Sequence, residues 1–309
     1  MCVDKIQYCR VIRMGRMIQW RELSIFVAYF MFITWALLSG NAFAQQDMVA
    51  EPDWLKAQIS DKQPVVIFDT RAKDDYDKGH IPTAISFLVD DTYVIKDGVY
   101  YVKNKVTIAP LLREKGVTKN ATIVVYDQGE LMHASRLFWV LELYGVKNVA
   151  ILNGGLNAWQ QHNALSQKVN TLPKSDFVPV LKSNIYASTT VAKVAVHNPN
   201  YELYDSRTYD EYLGKKSVTD KYGRIPKAKY IELSEFFTTN EDGQKILKPK
   251  SELSDILSNL DHNKKTITYC NKGTASTLSY FLLKQAGFNV AHYDGSWLDW
   301  SAKGLPIEK

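Results

Sequence analysis

The sequence of 309 residues contains only three cysteines, and two of them, Cys2 and Cys9, lie close to its N-terminus. The third, Cys270, therefore has no partner for a disulfide in the body of the chain. The six histidines show no metal-ligand spacing, and no second cysteine supports a zinc site. The sequence predicts no metal and no other cofactor.

A strong excess of one charge is also lacking. The chain has 38 basic and 33 acidic residues, and residues 1–44 carry most of the difference. Beyond position 44, only 33 basic residues stand against 31 acidic ones. Proteins that bind nucleic acids usually present a clearly basic surface. We therefore expect no nucleic-acid partner.

The N-terminal segment has the parts of a secretory signal. A basic stretch precedes an apolar run over residues 23–38, and Ala42-Phe43-Ala44 then offers a small-x-small cleavage site. We expect residues 1–44 to be a signal peptide that is cleaved after Ala44, which makes the protein periplasmic or secreted without stable membrane association. The alternatives are a later start codon and an uncleaved anchor, although the run is short against a span of roughly 20 residues.

Export makes Cys270 the only cysteine of the mature chain. An unpaired thiol in an oxidising compartment is exposed to oxidation, which favours a functional cysteine over a structural one. Cys270 follows a β-branched strand over residues 266–269 and precedes a helix predicted over residues 276–286. A helix N-terminus, loop N–H groups and the nearby Lys272 lower the pKa of a thiol and create a nucleophile. The alternative is a buried structural cysteine.

Buried strands alternate with helices along the chain, which predicts an α/β fold with mainly parallel sheets flanked by helices. We predict helices over residues 49–59, with Trp54 and Leu55 on the buried side, and over residues 110–115 and 133–144. Residues 166–184 show no clear period and are interpreted as a linker.

The plan of the chain is repeated. Four matched motifs occur twice in the same order: Asp69-Thr-Arg71 with Asp205-Ser-Arg207, Gly79-His-Ile-Pro-Thr-Ala84 with Gly223-Arg-Ile-Pro-Lys-Ala228, the strand ending at Asp127 with the strand ending at Cys270, and Asn153-Gly-Gly with Asp294-Gly-Ser. We predict two tandem domains, over residues 45–165 and 185–309. The first has Asp127 at the position of the cysteine, which predicts that only the second domain is catalytic.

These motifs in combination resemble the rhodanese family, and their duplication resembles its two-domain sulfurtransferases. The resemblance implies that Cys270 takes a sulfur atom from a small-molecule donor such as thiosulfate or 3-mercaptopyruvate. A persulfide then passes the sulfur to a thiol or to cyanide. We expect the N–H groups of the five residues after the cysteine to hold the persulfide and the substrate: Asn271, Lys272, Gly273, Thr274 and Ala275. Arg224 stands where the first Gly-His-Ile-Pro motif has its histidine, and it adds positive charge to the substrate site if it faces that site.

The sequence departs from the family in ways that leave the donor open. Two-domain members usually have a substrate-binding arginine four positions after the Asp-x-Arg arginine, and this chain has Glu211 there. Lys272 follows the thiosulfate-type loop, whereas Asn271 and Thr274 follow neither known loop type. A carboxylate at position 211 repels an anionic donor, so a non-catalytic sulfur- or partner-binding protein is the alternative. A phosphatase is disfavoured because no arginine ends the cysteine loop.

Four further residues carry weaker expectations. Asp69 and Asp205 are predicted to be structural, through hydrogen bonds that hold neighbouring loops. Trp297 is predicted to pack in the core. Arg136 lies on the helix after the first loop, where it faces either the interface between domains or solvent.

Overall fold

The computed structural model describes residues 48–309 as one compact unit. The predicted signal peptide, its cleavage site, Cys2 and Cys9 lie outside the described residues. Within the described range, no helix is both long and apolar enough to cross a membrane.

The first half of this unit is built on a five-stranded sheet in the order β1-β7-β6-β2-β3, in which every neighbouring pair is parallel. The apolar runs of its inner strands are buried on both faces by helices, as parallel sheets require. The elements are β1 (Val49–Ala50), α1 (Pro52–Ser60), β2 (Val65–Asp69), α2 (Lys73–Lys78), β3 (Ile85–Ser86), β4 (Tyr93–Lys96), β5 (Val99–Val102), α3 (Lys105–Glu114), β6 (Thr122–Tyr126), α4 (Met132–Leu143), β7 (Asn148–Leu152) and α5 (Gly155–His162).

The second half repeats this topology with a parallel sheet in the order β10-β9-β13-β14-β8. Residues 163–182 connect the halves without a helix or a strand. The elements are β8 (Tyr186–Ala187), α6 (Thr189–His197), β9 (Tyr201–Asp205), α7 (Tyr209–Tyr212), β10 (Lys229–Tyr230), β11 (Phe237–Thr239), β12 (Lys245–Leu247), α8 (Lys250–Ile256), β13 (Lys265–Tyr269), α9 (Ala275–Gln285), β14 (Val290–Tyr293) and α10 (Ser296–Ala302).

The two halves meet through α4 and α9, which are equivalent helices of the repeat. Phe138 of α4 and Phe281 of α9 are each the eleventh residue after the loop position that distinguishes the copies. Their rings pack edge to face with centroids 5.1 Å apart. One apolar core runs through this contact and joins both sheets. The loops that precede α4 and α9 are therefore held close to the interface.

Each Asp-x-Arg motif closes a small buried network. Asp69 accepts hydrogen bonds from the Arg71 guanidinium at 2.7 Å and from the Tyr126 hydroxyl at 2.6 Å, and Arg71 also donates to the carbonyl of Gly79. Asp205 repeats the same contacts in the second half. The structural role predicted for these aspartates agrees with this geometry.

The structure corrects two details of the sequence interpretation. Trp54 is 40% exposed, because α1 turns Leu55 rather than Trp54 towards the core. Helix α3 begins at Lys105, five residues before Pro110, because the side chain of Asn104 caps its first turn. Trp297 is fully buried, as predicted.

Two antiparallel hairpins were not predicted. Strands β4 and β5 form one hairpin in the first half, and β11 and β12 form the other. Each hairpin reaches the opposite half of the molecule. The N–H of Leu247 in the second hairpin donates to Asn153 Oδ1 at 2.8 Å. The N–H of Val102 in the first hairpin donates to Asp294 Oδ2 at 2.6 Å. Each hairpin thus forms a hydrogen bond with the other half of the molecule.

Candidate active site

Cys270 directly follows β13, at the carboxyl end of the sheet, and the loop after it leads into α9. Its backbone N–H donates to the hydroxyl of Ser296 at 3.3 Å. The residue is largely buried but lines a cavity. The strand, loop and helix that the sequence predicted around the cysteine are therefore present, with α9 beginning one residue earlier.

Two hydrogen-bond donors point at the sulfur. The N–H of Gly273 lies 3.2 Å from Sγ, and the hydroxyl of Ser276 lies 3.3 Å from it. Hydrogen bonds from neutral donors favour the anionic form of a thiol over its protonated form. Gly273 belongs to the predicted site, whereas Ser276 was missed because the sequence showed it only as the start of a helix.

Gly273 has a conformation and surroundings that suit glycine. Its φ is +86°, in the left-handed region. A Cβ atom at this position would lie 2.9 Å from the carbonyl oxygen of Asp294 and 3.3 Å from a guanidinium nitrogen of Arg136. The loop can therefore approach β14 and α4 closely only with glycine here.

The cavity at Cys270 has a volume of about 580 Å³ and takes residues from both halves of the molecule. The first half contributes the start of α4. The lining residues are Met132, His133, Ser206, Arg207, Thr208, Tyr209, Glu211, Tyr230, Ile231, Glu232, Leu233, Cys270, Asn271, Lys272, Thr274 and Ala275. Of the predicted loop residues, Asn271, Lys272, Thr274 and Ala275 thus face the same space as the thiol.

The carboxylate of Glu211 is fixed within this cavity. It accepts from Asn271 Nδ2 at 2.9 Å, and from the backbone N–H and hydroxyl of Thr208 at 3.0 and 2.8 Å. Burial opposes its ionisation, but the hydrogen bonds from Asn271 and Thr208 outweigh this and lower the pKa of Glu211. Asn271 and Glu211, which both depart from the family pattern, are therefore hydrogen-bonded to each other.

Two cations bear on the charge of the cavity. Lys272 is exposed, and its ammonium lies 5.2 Å from the ring centroid of Tyr100 in the first-half hairpin. Arg207 is held by Asp205, so its charge is already matched. Glu232 adds a second carboxylate, whose pKa is lowered by the hydroxyl of Tyr230 despite partial burial. The ionised carboxylates thus limit the positive character of the cavity.

The substrate-binding role expected of Arg224 is not supported by its position. Its guanidinium forms an ion pair with Glu308 and stacks on the ring of Tyr212, 4.6 Å from the centroid. It is absent from the lining of the cavity at Cys270. The C-terminal segment pairs with the Gly-x-Ile-Pro loop through Arg224 and Glu308, and this pairing draws the charge away from the sulfur.

The first half of the molecule also holds the cysteine loop from outside the cavity. The hydroxyl of Tyr93, on β4, lies 3.0 Å from the hydroxyl of Thr274. The hydroxyl of Tyr101, on β5, donates to Asp299 at 2.6 Å. Sequence reasoning missed these contacts because it did not predict the hairpin that carries both tyrosines.

Arg136 of α4 is a residue of the first half that contacts the cysteine loop from within the interface. It faces the interface, and its side chain is fully buried. The guanidinium donates to Asp294 Oδ1 at 2.6 Å and to the carbonyl of Gly273 at 3.3 Å. Burial opposes ionisation of Asp294, but the charge of Arg136 outweighs it and lowers the pKa of the carboxyl to about 2. Of the two positions expected for Arg136, the interface is the one observed.

Within residues 48–309, no group of three or more histidine, cysteine, aspartate or glutamate side chains is arranged to hold a metal ion. The site that the structure describes is a thiol in a loop, with hydrogen-bond donors around its sulfur and a cavity in front of it.

The fold and the site define a class: a duplicated α/β protein with one loop thiol in its second copy. The family model of the rhodanese-like domain matches this chain twice, over residues 51–162 and 188–303. The chain belongs to the rhodanese family.

Curated relatives agree with this assignment. The 3-mercaptopyruvate sulfurtransferase of Escherichia coli (strain K12) is 28% identical over 277 residues, which cover 83% of this chain and 96% of the relative. The thiosulfate sulfurtransferase of Corynebacterium glutamicum is 27% identical over 283 residues, which cover 86% and 92%. The crystal structure of SseA from Escherichia coli, a 3-mercaptopyruvate sulfotransferase with the rhodanese fold, superposes with a TM-score of 0.71 at 26% identity and covers 82% of this chain and 99% of that one.

The predictions of the rhodanese family, of two α/β domains with mainly parallel sheets, and of a sulfurtransferase as the class of enzyme are therefore confirmed. The names of the relatives include two different sulfur donors.

Proposed function

We propose that the protein transfers a sulfane sulfur through a persulfide on Cys270. The observation that carries this proposal is the position of Sγ, which lines the cavity and receives hydrogen bonds from the Gly273 N–H and the Ser276 hydroxyl. Both donors favour a sulfur anion, which is the reactive form of a cysteine.

With thiosulfate as the donor, the transfer has two balanced steps. The Cys270 thiolate attacks the outer sulfur of thiosulfate, the bond between the two sulfurs breaks, and sulfite leaves with the electron pair. The acceptor, a thiolate or cyanide, then attacks the outer sulfur of the persulfide. The bond to Sγ breaks and Cys270 returns to a thiolate, so no external oxidant or reductant is required. Donors on the loop stabilise the anion throughout.

We propose thiosulfate as the donor to test first and 3-mercaptopyruvate as the second. Both donors are anions. Two cations line the cavity, and Arg207 is paired with Asp205. Among the described residues, no carboxylate forms an ion pair with Lys272. Glu211 and Glu232 oppose either anion. We therefore expect a modest affinity for both donors, with a strong dependence on ionic strength.

The alternative is a non-catalytic protein that binds a sulfur compound or a partner. The observation in its favour is that Glu211 lies in the cavity while Arg224 is paired with Glu308 instead of facing the sulfur. On this alternative, Cys270 takes up no sulfur from any donor.

Incubation with a panel of donors, read by intact mass, separates the two functions. We expect a gain equal to the mass of one sulfur atom, reversed by cyanide with formation of thiocyanate. In Cys270→Ser, both the gain and the thiocyanate should be absent. A Ser variant that still forms thiocyanate would overturn the persulfide mechanism, and a wild type that gains no sulfur would favour the binding protein.

We also propose that the protein is exported and matured by cleavage after Ala44. The support for this is the apolar run and the small-x-small site of residues 1–44. Protein recovered from the periplasmic fraction of a bacterial host should begin at Gln45. Recovery of the full-length chain in the membrane fraction would show an uncleaved anchor instead.

A further inference from the structure

A buried ion pair joins the domain without a cysteine to the loop with one. Arg136, from α4 of the first half, and Asp294, which follows β14 of the second half, are both fully buried and 2.6 Å apart. Nε and Nη2 of Arg136 have no hydrogen-bond partner among residues 48–309. The guanidinium instead lies against the rings of Tyr93 and Trp139, 4.5 and 4.7 Å from their centroids. All of its hydrogen bonds therefore come from one nitrogen.

That nitrogen is connected to both donors that reach the sulfur. Nη1 donates to the carbonyl of Gly273, whose N–H donates to Sγ. Nη1 also lies 3.3 Å from Nε2 of His292, and Nδ1 of His292 lies 3.3 Å from the hydroxyl of Ser276. The Ser276 hydroxyl in turn lies 3.3 Å from Sγ. Two short chains thus run from Arg136 to Cys270.

The second chain has a defined direction. A guanidinium only donates hydrogen bonds, so the contact of Nη1 with Nε2 of His292 fits the tautomer whose ring proton resides on Nδ1. Nδ1–H then faces the oxygen of Ser276, which leaves the hydroxyl proton free to point at Sγ. Burial lowers the pKa of His292, although Asp294 opposes this, and a neutral ring fits the arrangement. The Oδ1 atom of Asp294 is 3.7 Å from Nε2, beyond hydrogen-bond distance.

The other copy of the repeat shows that the fold does not need this ion pair. The ninth residue after Cys270, which corresponds to Arg136 in the first copy, is Ser279. The residue that corresponds to Asp294 is Asn153, which accepts a backbone N–H from the opposite hairpin just as Asp294 does. On the side that has no cysteine, the neutral Asn153 therefore suffices for the hairpin contact, and Ser279 is hydrogen-bonded to Ser206 instead.

We infer that Arg136 is a positioning residue for sulfur transfer: it fixes the Gly273 peptide and the His292–Ser276 pair so that both point a donor at Cys270. This rests on the proposed function of Cys270. Because Arg136 is fully buried, it cannot touch a donor in the cavity, and its effect falls on the reactivity of the thiol rather than on substrate affinity.

Other charged or titratable groups lie near the thiol or near the ion pair, and the variants leave all of them except Asp294 unchanged. They come from the loop itself, from the hairpin and α4 of the first half, from the end of β14, and from the wall of the cavity: Lys272, Tyr93, His133, His292, Asp294, Arg207, Glu211, Tyr230 and Glu232.

The experiment compares three variants of the full chain: Arg136→Met, Arg136→Lys and the double variant Arg136→Met/Asp294→Asn. The double variant removes both buried charges together, so no unpaired charge is left behind and the protein should fold. Alkylation of Cys270 by iodoacetamide, followed across pH by intact mass, measures thiol reactivity without requiring sulfur transfer. Steady-state kinetics with thiosulfate and cyanide separates kcat from KM.

We expect the double variant to unfold near the wild-type temperature, to be alkylated about tenfold more slowly at neutral pH, and to lose about tenfold in kcat with little change in KM. Arg136→Lys should lie between wild type and Arg136→Met. The matched control is Arg71→Met/Asp69→Asn, which removes a buried ion pair of the first half that makes no contact with the cysteine loop. It should lose stability but keep wild-type alkylation.

Wild-type alkylation and kcat in a folded double variant would show that the pair serves only the packing of the two halves, and would overturn the inference. A slower alkylation accompanied by the same loss in the Arg71 control would also overturn it. If no donor places a sulfur on the wild type, the proposed function fails, yet the alkylation profiles still decide whether Arg136 controls the thiol.

Discussion

The first copy of the repeat holds a carboxylate in the loop where the second copy holds a thiol. Asp127 accepts four backbone hydrogen bonds, from the N–H groups of Gly129, Leu131, His133 and Ala134, at distances between 2.9 and 3.3 Å. In the second copy, Sγ of Cys270 accepts one N–H and one hydroxyl. Both loops are of equal length, because α4 and α9 each begin at the fifth residue after that position.

The comparison shows which hydrogen-bond donors the loop presents. The carboxylate oxygens of Asp127 lie two bonds beyond Cβ, which is also where the outer sulfur of a persulfide on Cys270 would lie. In the first copy, the carboxyl group at that distance is surrounded by backbone N–H groups. The loop of the first copy therefore presents several N–H donors to a group at that distance, although burial raises the pKa of Asp127 despite them. Asp127 occupies these donors in the first copy, whereas under the proposed function the second loop leaves them open to a sulfur bound to Cys270.

Exchanging the two residues tests this comparison with the largest expected effect. Cys270→Asp should fold and lose sulfur transfer by about a thousandfold or more, since a carboxylate cannot form a persulfide. Asp127→Cys in a Cys270→Ser background should not restore it. The first loop has Gly129 where the second has Lys272. The residue of α9 that corresponds to Arg136 of α4 is Ser279, so the first loop receives no basic residue from the other half at that position. Thiocyanate formation measures both variants.

A transplanted thiol at position 127 that recovered a tenth of the wild-type rate would show that the loop alone is sufficient. In that case the surroundings of Cys270, including Arg136, would contribute little to the chemistry.

The stabilities of the two loops should differ in the opposite sense. Asp127→Ala leaves buried N–H groups without their acceptor, which we expect to lower the free energy of unfolding by about 3 kcal/mol. Cys270→Ala removes only weak bonds to sulfur and should cost about 1 kcal/mol. Urea unfolding with equal m-values measures both. Equal losses would mean that the four hydrogen bonds of Asp127 are not a stabilising feature of the first copy.

The two copies should also respond differently to pH. The pKa of Asp294 is lowered to about 2 from 3.8, so its contribution is fully present above pH 3.8 and is lost as the pH falls towards 2. This contribution is about 2 kcal/mol. The pKa of Asp127 is raised by burial, against its N–H bonds, so its contribution has the opposite sign. It is present below the pKa of the unfolded chain and declines as the pH rises through that of the folded protein.

Urea unfolding between pH 2.5 and 7 measures these slopes. Relative to wild type, Arg136→Met/Asp294→Asn should lose less stability between pH 4 and 2.5, and Asp127→Asn should lose less stability as the pH rises above 4. Parallel profiles for wild type and both variants would contradict the assignment of opposite slopes to the two copies.

The repeat, the strand before each loop and the position of Cys270 in the second loop were predictable because they depend on local patterns. Runs of buried β-branched residues indicate parallel strands, and four motifs in matched order indicate a duplication. Cys270 stood out in the sequence because it is the only cysteine beyond residues 1–44. Helix α4 was likewise predicted to within one residue at each end, because its apolar period is long.

What sequence could not supply is the pairing of distant elements. Arg136 is a lone cation in an apolar helix, and only the contact of α4 with α9 brings it to Gly273. The hairpin that carries Tyr93 consists of short strands with exposed valine and isoleucine, which have no amphipathic period. Arg224 was assigned to the site by its motif, yet Glu308, some 80 positions away, decides where its charge lies.

The smallest expected effect concerns the acidic residue that both copies carry four positions after the Asp-x-Arg arginine. In the first copy, Asp75 is exposed and pairs with Lys78. In the second, Glu211 is buried, lines the cavity and is tied to Asn271. Glu211→Gln keeps the hydrogen-bond acceptor for Asn271 but removes the charge. We expect kcat/KM for thiosulfate to rise about fivefold at low ionic strength, because one unfavourable charge interaction near a partly buried site is removed.

Salt distinguishes this electrostatic effect from a change in shape. At high ionic strength the gain from Glu211→Gln should shrink to less than about twofold, since screening weakens the repulsion in the wild type. Asp75→Asn, the corresponding change in the copy without a cysteine, should leave kcat/KM unchanged at every salt concentration. A gain that persists in high salt would point to the geometry of Asn271 rather than to charge. An absent gain at low salt would mean that Glu211 does not oppose the donor, and that its carboxylate serves chiefly to hold the cysteine loop.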